Sequence, residues 1–384
     1  MKRTTMCKFI SISICAFLFY AASYAQSITL PPSGENQKAS VTQWMGLVKM
    51  NITYNSPDVT ASNGEDRTGK IWGQLVPYGF ANLGFGMSSE ENPSPWRAGA
   101  NENTTVYFSH DVEIEGKPLK AGKYALFMAP GEEEWTLIFS KNHSSWGSYF
   151  YNPEEDALRV TVKPKEVEFS EWLTYEFVDR GLDHCVAALK WENKMVPFEV
   201  NVPNINELYL GQIRDELRSS SGFNWMAWNQ AANFCLQHDI NLKEGLSWID
   251  NAINAPYFGQ ENFANYNVKS QLLSKLGKEQ EAEIVMNKAI SHPTATVFQI
   301  HQYGRQLLNE GKGDKALAVF ELNAKRHPDT WPVNMGLARG YSALGQYKKA
   351  LKHAQMAYEK APDELNKQTL QGAIDKLKQN QDFN

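Results

Sequence analysis

Between Val41 and Val202 apolar side chains recur at every second position, in short runs broken by Gly, Pro, Asn or Asp about every 8 to 12 residues. Val48, Met50, Ile52 and Tyr54 alternate with Lys49, Asn51 and Thr53, and the pattern returns at Tyr124, Leu126 and Met128, at Trp135, Leu137 and Phe139, and at Leu158, Val160 and Val162. Successive side chains of a strand point to opposite faces, so each run predicts a strand with one strongly apolar face. A second sheet or closure of the first must cover that face, and residues 41–203 are expected to form an antiparallel all-β sandwich, with a barrel-like closure as the alternative. Between Pro77 and Trp96 the chain is rich in Gly, Ser, Asn and Pro, which predicts a long surface loop.

After Pro203 the period becomes helical, and residues 204–225 read as a connecting helix. Residues 297–328 then lie over 331–362 at an offset of 34, with Gly311, Ala316 and Pro328 recurring as Gly345, Ala350 and Pro362. One more step back finds Gly277 and Ala282, and a degenerate copy carries Gly245, Ile249 and Ala252. The small residue sits where two helices cross, the Gly permits the turn between them, and the Pro ends the second helix. Tyr341, Gly345, Tyr347, Ala350, Ala357 and Pro362 stand at the signature positions of the tetratricopeptide repeat, which this segment resembles. Roughly four stacked hairpins over 226–362, closed by an amphipathic capping helix and tail at 363–384, predict an all-α superhelix.

Ahead of both domains, Lys2, Arg3 and Lys8 precede an apolar run from Phe9 to Ala22 and then Ser23-Tyr24-Ala25. This order predicts a secretory signal cleaved after Ala25, followed by a flexible linker over 26–40 and an exported, periplasmic or extracellular protein. The run is shorter than the roughly 20 residues that a membrane-crossing helix needs, so no membrane span is expected. Loss of residues 1–25 removes three cations and no acid, and the formal charge moves from −5 to −8. That balance argues against nucleic acid as a partner. Cys185 and Cys235, one in each domain, read as small buried hydrophobes, with a disulfide between them as the alternative.

Two strings stand out in the β half, Ile71-Trp72-Gly73-Gln74-Leu75-Val76-Pro77-Tyr78-Gly79 and Trp96-Arg97-Ala98-Gly99-Ala100-Asn101-Glu102. Gly116-Lys117-Pro118-Leu119, Ala121-Gly122-Lys123-Tyr124, Trp135-Thr136 and Trp146-Gly147 follow in order. Over roughly residues 38–202 this succession resembles a family of exported bacterial proteins known as domain of unknown function 2911, whose members often carry helical repeats behind the domain. The chain departs from that pattern by inserting residues 80–95 between the first two strings. The resemblance implies a fold and a compartment, and no activity.

No G-x-S-x-G elbow, Walker loop or dinucleotide fingerprint is present. His110, His143 and His184 stand at no metal-ligand spacing, so no metal and no cofactor are expected. Arg97, Asn101 and Glu102 share a Gly/Ala-rich turn that could hold a small ligand or glycan, although Arg97 and Glu102 could equally pair with each other to fix the turn. His110 shares strand parity with Val106 and Phe108 and reads as a strand-end cap or a member of the same site. Trp146 and Tyr151 belong to an aromatic-dense loop that would serve as a ligand platform or as a seal on the sheet. In the repeats Arg305 and Arg339 occupy one position of successive first helices, the face that lines the groove of tetratricopeptide arrays, and Lys275 and Asn309 extend it. Stacked guanidinium groups suit an acidic or carboxylate-bearing peptide, against the plainer reading as solvated surface charge. The leading expectation is a non-catalytic binding or assembly protein with a protein or peptide partner on the repeats. The alternative is a cell-envelope hydrolase or carbohydrate-active enzyme with its site at the Trp96–Glu102 turn.

Overall fold

The computed structural model describes residues 36–384 and divides after Leu208 into two compact units. The expected signal and most of the expected linker lie outside the described residues.

The first unit is built from two antiparallel sheets. One has six strands, in spatial order β1 (Gln37–Met45), β2 (Val48–Ser56), β3 (Thr105–Phe108), β6 (Gly122–Ala129), β7 (Trp135–Ser140) and β8 (Asp156–Val162). The other has four, in order β5 (Lys117–Leu119), β4 (Val112–Ile114), β10 (His184–Asn201) and β9 (Lys165–Arg180). Met50, Ile52, Leu126, Met128, Leu137 and Phe139 from the first sheet share one core with Ile114, Leu189, Phe198 and Val200 from the second. The Phe139 and Phe198 rings meet edge to face at 6.2 Å, so the unit is a sandwich rather than a closed barrel. Trp72, Trp96, Trp135 and Trp191 pack within the same core, Trp72 lying 4.9 Å from Trp135 and 5.6 Å from Trp191.

Two features depart from the alternating pattern. β1 starts at Gln37, inside the stretch expected as linker, because Ala39 and Val41 pack against the core and the whole run Gln37–Met45 pairs with β2. β6 and β7 are buried on both faces: Ala125, Phe127 and Ile138 point away from the sandwich core and are covered by Tyr151 and Phe80. A second small core thus lies on the outside of the first sheet, where one apolar face per strand was expected.

The second unit consists, among the described residues, of ten helices: α1 (Ile205–Leu217), α2 (Trp225–His238), α3 (Leu242–Asn254), α4 (Phe263–Lys275), α5 (Glu279–Ser291), α6 (Val297–Asn309), α7 (Gly313–Arg326), α8 (Trp331–Ala343), α9 (Tyr347–Glu359) and α10 (Glu364–Lys378). The pairs α2/α3, α4/α5, α6/α7 and α8/α9 are four hairpins, and α10 packs on α9 as the cap. Gly277, Gly311 and Gly345 turn the chain within three of these hairpins at φ of 75, 72 and 69°, a left-handed backbone that costs other residues energy. Ala282, Ala316 and Ala350 are buried at the helix crossings. In the first hairpin Gly245 replaces that Ala for a local reason: a Cβ there would come within 2.8 Å of the Cys235 Cβ. Cys185 and Cys235 are both free and buried, so the disulfide alternative does not hold.

Candidate functional site

The repeat period sets α6 beside α8 and brings Arg305 and Arg339 onto neighbouring first helices. His301, one turn before Arg305, joins them, with its ring 5.5 Å from that of buried Phe320. Burial, followed by the charges of Arg339 and Arg305, pushes the His301 imidazole down to about 4, while a hydrogen bond to the Pro332 carbonyl opposes the shift. Arg339 is lowered by burial and by Arg305, with Asp382 acting the other way. Two polar atoms of the cluster, Arg339 Nε and His301 Nδ1, are buried without a hydrogen-bond partner among the described residues. The site is therefore a cationic pair resting on an uncharged buried imidazole, with hydrogen-bonding capacity left over.

Chain residues 382–384 lie against this site. Asn384 Oδ1 accepts from Arg339 Nη1 at 3.2 Å, and Asn384 Nδ2 donates to the Arg339 carbonyl at 3.0 Å. The Arg339 guanidinium stands 5.3 Å over the Phe383 ring. Ser342, three residues along the same helix, donates from its Oγ to the Asp382 carboxylate at 2.6 Å and accepts from the Phe383 N–H at 3.3 Å.

Lys275 occupies different surroundings. It lines a cavity of about 520 Å³ between α4, α5 and α6, together with Glu279, Glu310 and Lys312, and pairs with Asp239 at 3.3 Å. Lys312 and Lys315 in the same cavity pair with Glu310 and Glu283 at 2.7 and 2.6 Å. Charges here are matched in place, unlike the two arginines. Asn309 is exposed at the end of α6.

In the β unit Arg97 donates to the Asn101 carbonyl at 2.8 Å and lies 5.2 Å over the Tyr149 ring. Gly147 leaves room for that guanidinium, since a Cβ there would lie 2.5 Å from its Cζ. Glu102 turns elsewhere, accepting from Asn55 Nδ2 at 2.7 Å and standing 3.9 Å from Lys38, so the pairing of Arg97 with Glu102 is not among the ion pairs of the described residues. His110 shares a hydrogen bond of 2.9 Å with Ser109, whose Oγ accepts from the Lys49 N–H at 2.8 Å. Asn55 and Lys49 lie near opposite ends of β2, roughly 20 Å apart at strand rise. Glu102 and His110 are thus not brought together. Trp96, Arg97 and Asn101 do line one cleft of about 360 Å³, with Trp191 and the Arg67–Asp58 pair, but neither Glu102 nor His110 reaches it.

The aromatic loop divides between a buried and an exposed part. Tyr151 is 4% exposed and seals the outer face, with its hydroxyl donating to Asp156 at 2.8 Å and accepting from Arg159 at 2.6 Å. Trp146 and Phe150 remain exposed, and the inserted residues join them: Phe85 meets the Tyr149 and Phe150 rings at 5.5 and 6.1 Å, and the Met87 N–H donates to the Tyr149 carbonyl at 2.8 Å. Phe85 and Met87 escaped sequence reasoning because no period marks a loop. His301 carried a usable signal, one helical turn from Arg305. Ser342 and residues 382–384 carried none, since their role depends on where the chain returns after α10.

Residues 36–200 match the family described as "Protein of unknown function (DUF2911)". The chain carries this domain, followed by tetratricopeptide-like repeats. Among solved structures it is similar to YrrB, described as a TPR protein with an unusual peptide-binding site, at 22% identity over 44% of this chain and 84% of that one, with a TM-score of 0.31. It is also similar to the C-terminal part of a TPR repeat-containing protein from Cytophaga hutchinsonii, at 16% identity over 46% and 67% of the two chains, with a TM-score of 0.36. A tetratricopeptide repeat protein from Parabacteroides merdae is similar at 12% identity over 44% and 68%, with a TM-score of 0.32. No curated protein matches the chain.

Proposed function

We propose that the protein is an exported, non-catalytic binding or assembly protein that holds an acidic polypeptide on the first-helix face of its repeats. The observation that carries this reading is the Arg305–Arg339 pair: two cations set side by side by the repeat, with Arg305 disfavouring charge on Arg339 and a buried Arg339 Nε still unpartnered. Like charges placed together are offset when an anionic ligand fills the space between them, and guanidinium groups suit carboxylates. The β unit supplies a second surface, where Phe85, Trp146 and Phe150 expose flat rings suited to a small ligand or glycan.

The experiment is an affinity capture from envelope extract with residues 26–384 as bait, followed by identification of the bound polypeptides. Arg305→Glu with Arg339→Glu should lose any polypeptide held there by at least tenfold, whereas Lys288→Glu, an exposed cation on α5, should retain it. Equal recovery by both variants would refute the groove reading.

A further inference from the structure

The chain's own residues 382–384 are seated on Arg339, one of the arginine pair, and the chemistry of that contact defines a ligand. Arg339 is engaged on three sides: an aromatic ring under the guanidinium plane, an amide oxygen on Nη1, and an amide nitrogen on its backbone carbonyl. Ser342 orders the acidic residue by donating to its carboxylate and accepting from the next backbone N–H. Phe383 also packs against the small-residue surface around Ala338 and Ala357. Ring, carboxylate and amide are thus each met by a matching group on α8. The contact is nevertheless incomplete, because Arg339 Nε remains buried without a partner and Arg305 still faces Arg339 as a like charge.

We infer that Asp382-Phe383-Asn384 is a resident ligand of the Arg339–Ser342 site, and that the polypeptide which displaces it presents an acidic residue followed directly by an aromatic one. The inference rests on the groove reading above and adds the sequence class of the partner and a competition built into the chain. A displacing peptide gains most if it brings a second carboxylate for Arg305 and Arg339 Nε. A resident segment occupying the site nine-tenths of the time weakens an outside ligand about tenfold, because only the vacant fraction binds.

The test uses a fluorescein-labelled peptide of residues 378–384, Lys-Gln-Asn-Gln-Asp-Phe-Asn, titrated by anisotropy against residues 26–384 and its variants. Asp382→Ala with Phe383→Ala vacates the site and should bind the peptide at least tenfold more tightly than the parent. Adding Arg339→Glu should remove that gain, as should a peptide with its Asp and Phe replaced by Ala. Ser342→Ala in the vacated protein is the milder second variant and should weaken binding severalfold. Circular dichroism establishes that each variant is folded. A folded vacated protein that binds the peptide no better than the parent overturns the inference, even if the partner capture above succeeds. Tight peptide binding with no captured partner upholds the inference and counts against the groove's proposed role instead.

Discussion

Gly304 gives the sharpest test of how the repeat helices pack. It lies inside α6 with ordinary helical φ, where Ala is favoured over Gly by about 1 kcal/mol. By that term alone Gly304→Ala should stabilise the protein. A Cβ at this position, however, would press on three carbons of the Phe320 ring, two of them at 2.6 and 2.9 Å. The ring cannot retreat, because on α8 a Cβ at Gly336 would stand 2.5 Å from Cδ1, one of the same three carbons, and Phe320 is fully buried. Overpacking a closed core costs about 1–3 kcal/mol, which exceeds or cancels the propensity gain. The expected outcome for Gly304→Ala is a net loss of about 0–2 kcal/mol. Gly372→Ala in α10, where nothing lies within 4 Å of the added Cβ, should instead gain up to about 1 kcal/mol. Urea unfolding followed by far-ultraviolet circular dichroism reads both variants, and adding Phe320→Leu to Gly304→Ala should recover part of the loss if the ring is its cause. A Gly304→Ala protein stabilised as much as Gly372→Ala would refute the close approach of α6 and α7.

Two further outcomes follow from buried polar groups. The His301 pKa is depressed to about 4 in the folded protein against an ordinary 6.5, so the unfolded chain takes up the proton first; stability from this group is complete above about 6.5 and is lost as pH falls towards 4. Denaturation midpoints of the parent should fall across that window, and those of His301→Gln should fall less; parallel profiles would contradict the assignment. Tyr151→Phe removes a hydroxyl bonded to both Asp156 and Arg159, the Asp156 side chain being only 8% exposed, and should cost about 1.5–3 kcal/mol in unfolding of the β unit.

Regular elements were readable where burial imposes a period. Val48 to Tyr54 and the Gly311/Gly345 pair expose their geometry directly, because a strand alternates by two and the hairpins repeat every 34 residues. The limits of the β unit were less readable at Gln37, where Ala39 and Val41 contribute too few apolar positions to stand out from a polar run. Burial of Phe127 and Ile138 on the outward face was hidden because their cover comes from Phe80 and Tyr151 in irregular segments. Within the candidate site, the 34-residue offset located Arg305 and Arg339 but gave no sign that residues 382–384 return to them. Glu102 and His110 stand close in sequence, yet Asn55 and Ser109 hold them at separate ends of β2.

Cys185 and Cys235 keep their sulfurs out of redox chemistry by burial. Burial pushes Cys185 up to about 12 and Cys235 up to about 11, so at neutral pH fewer than about one thiol in a thousand is in the reactive thiolate form. Neither sulfur is presented to an oxidant or to a disulfide-exchange partner, and no cross-link holds the fold together among the described residues. Among the described residues the fold therefore rests on no disulfide, and a change between a reducing and an oxidising milieu asks for no thiol chemistry at Cys185 or Cys235.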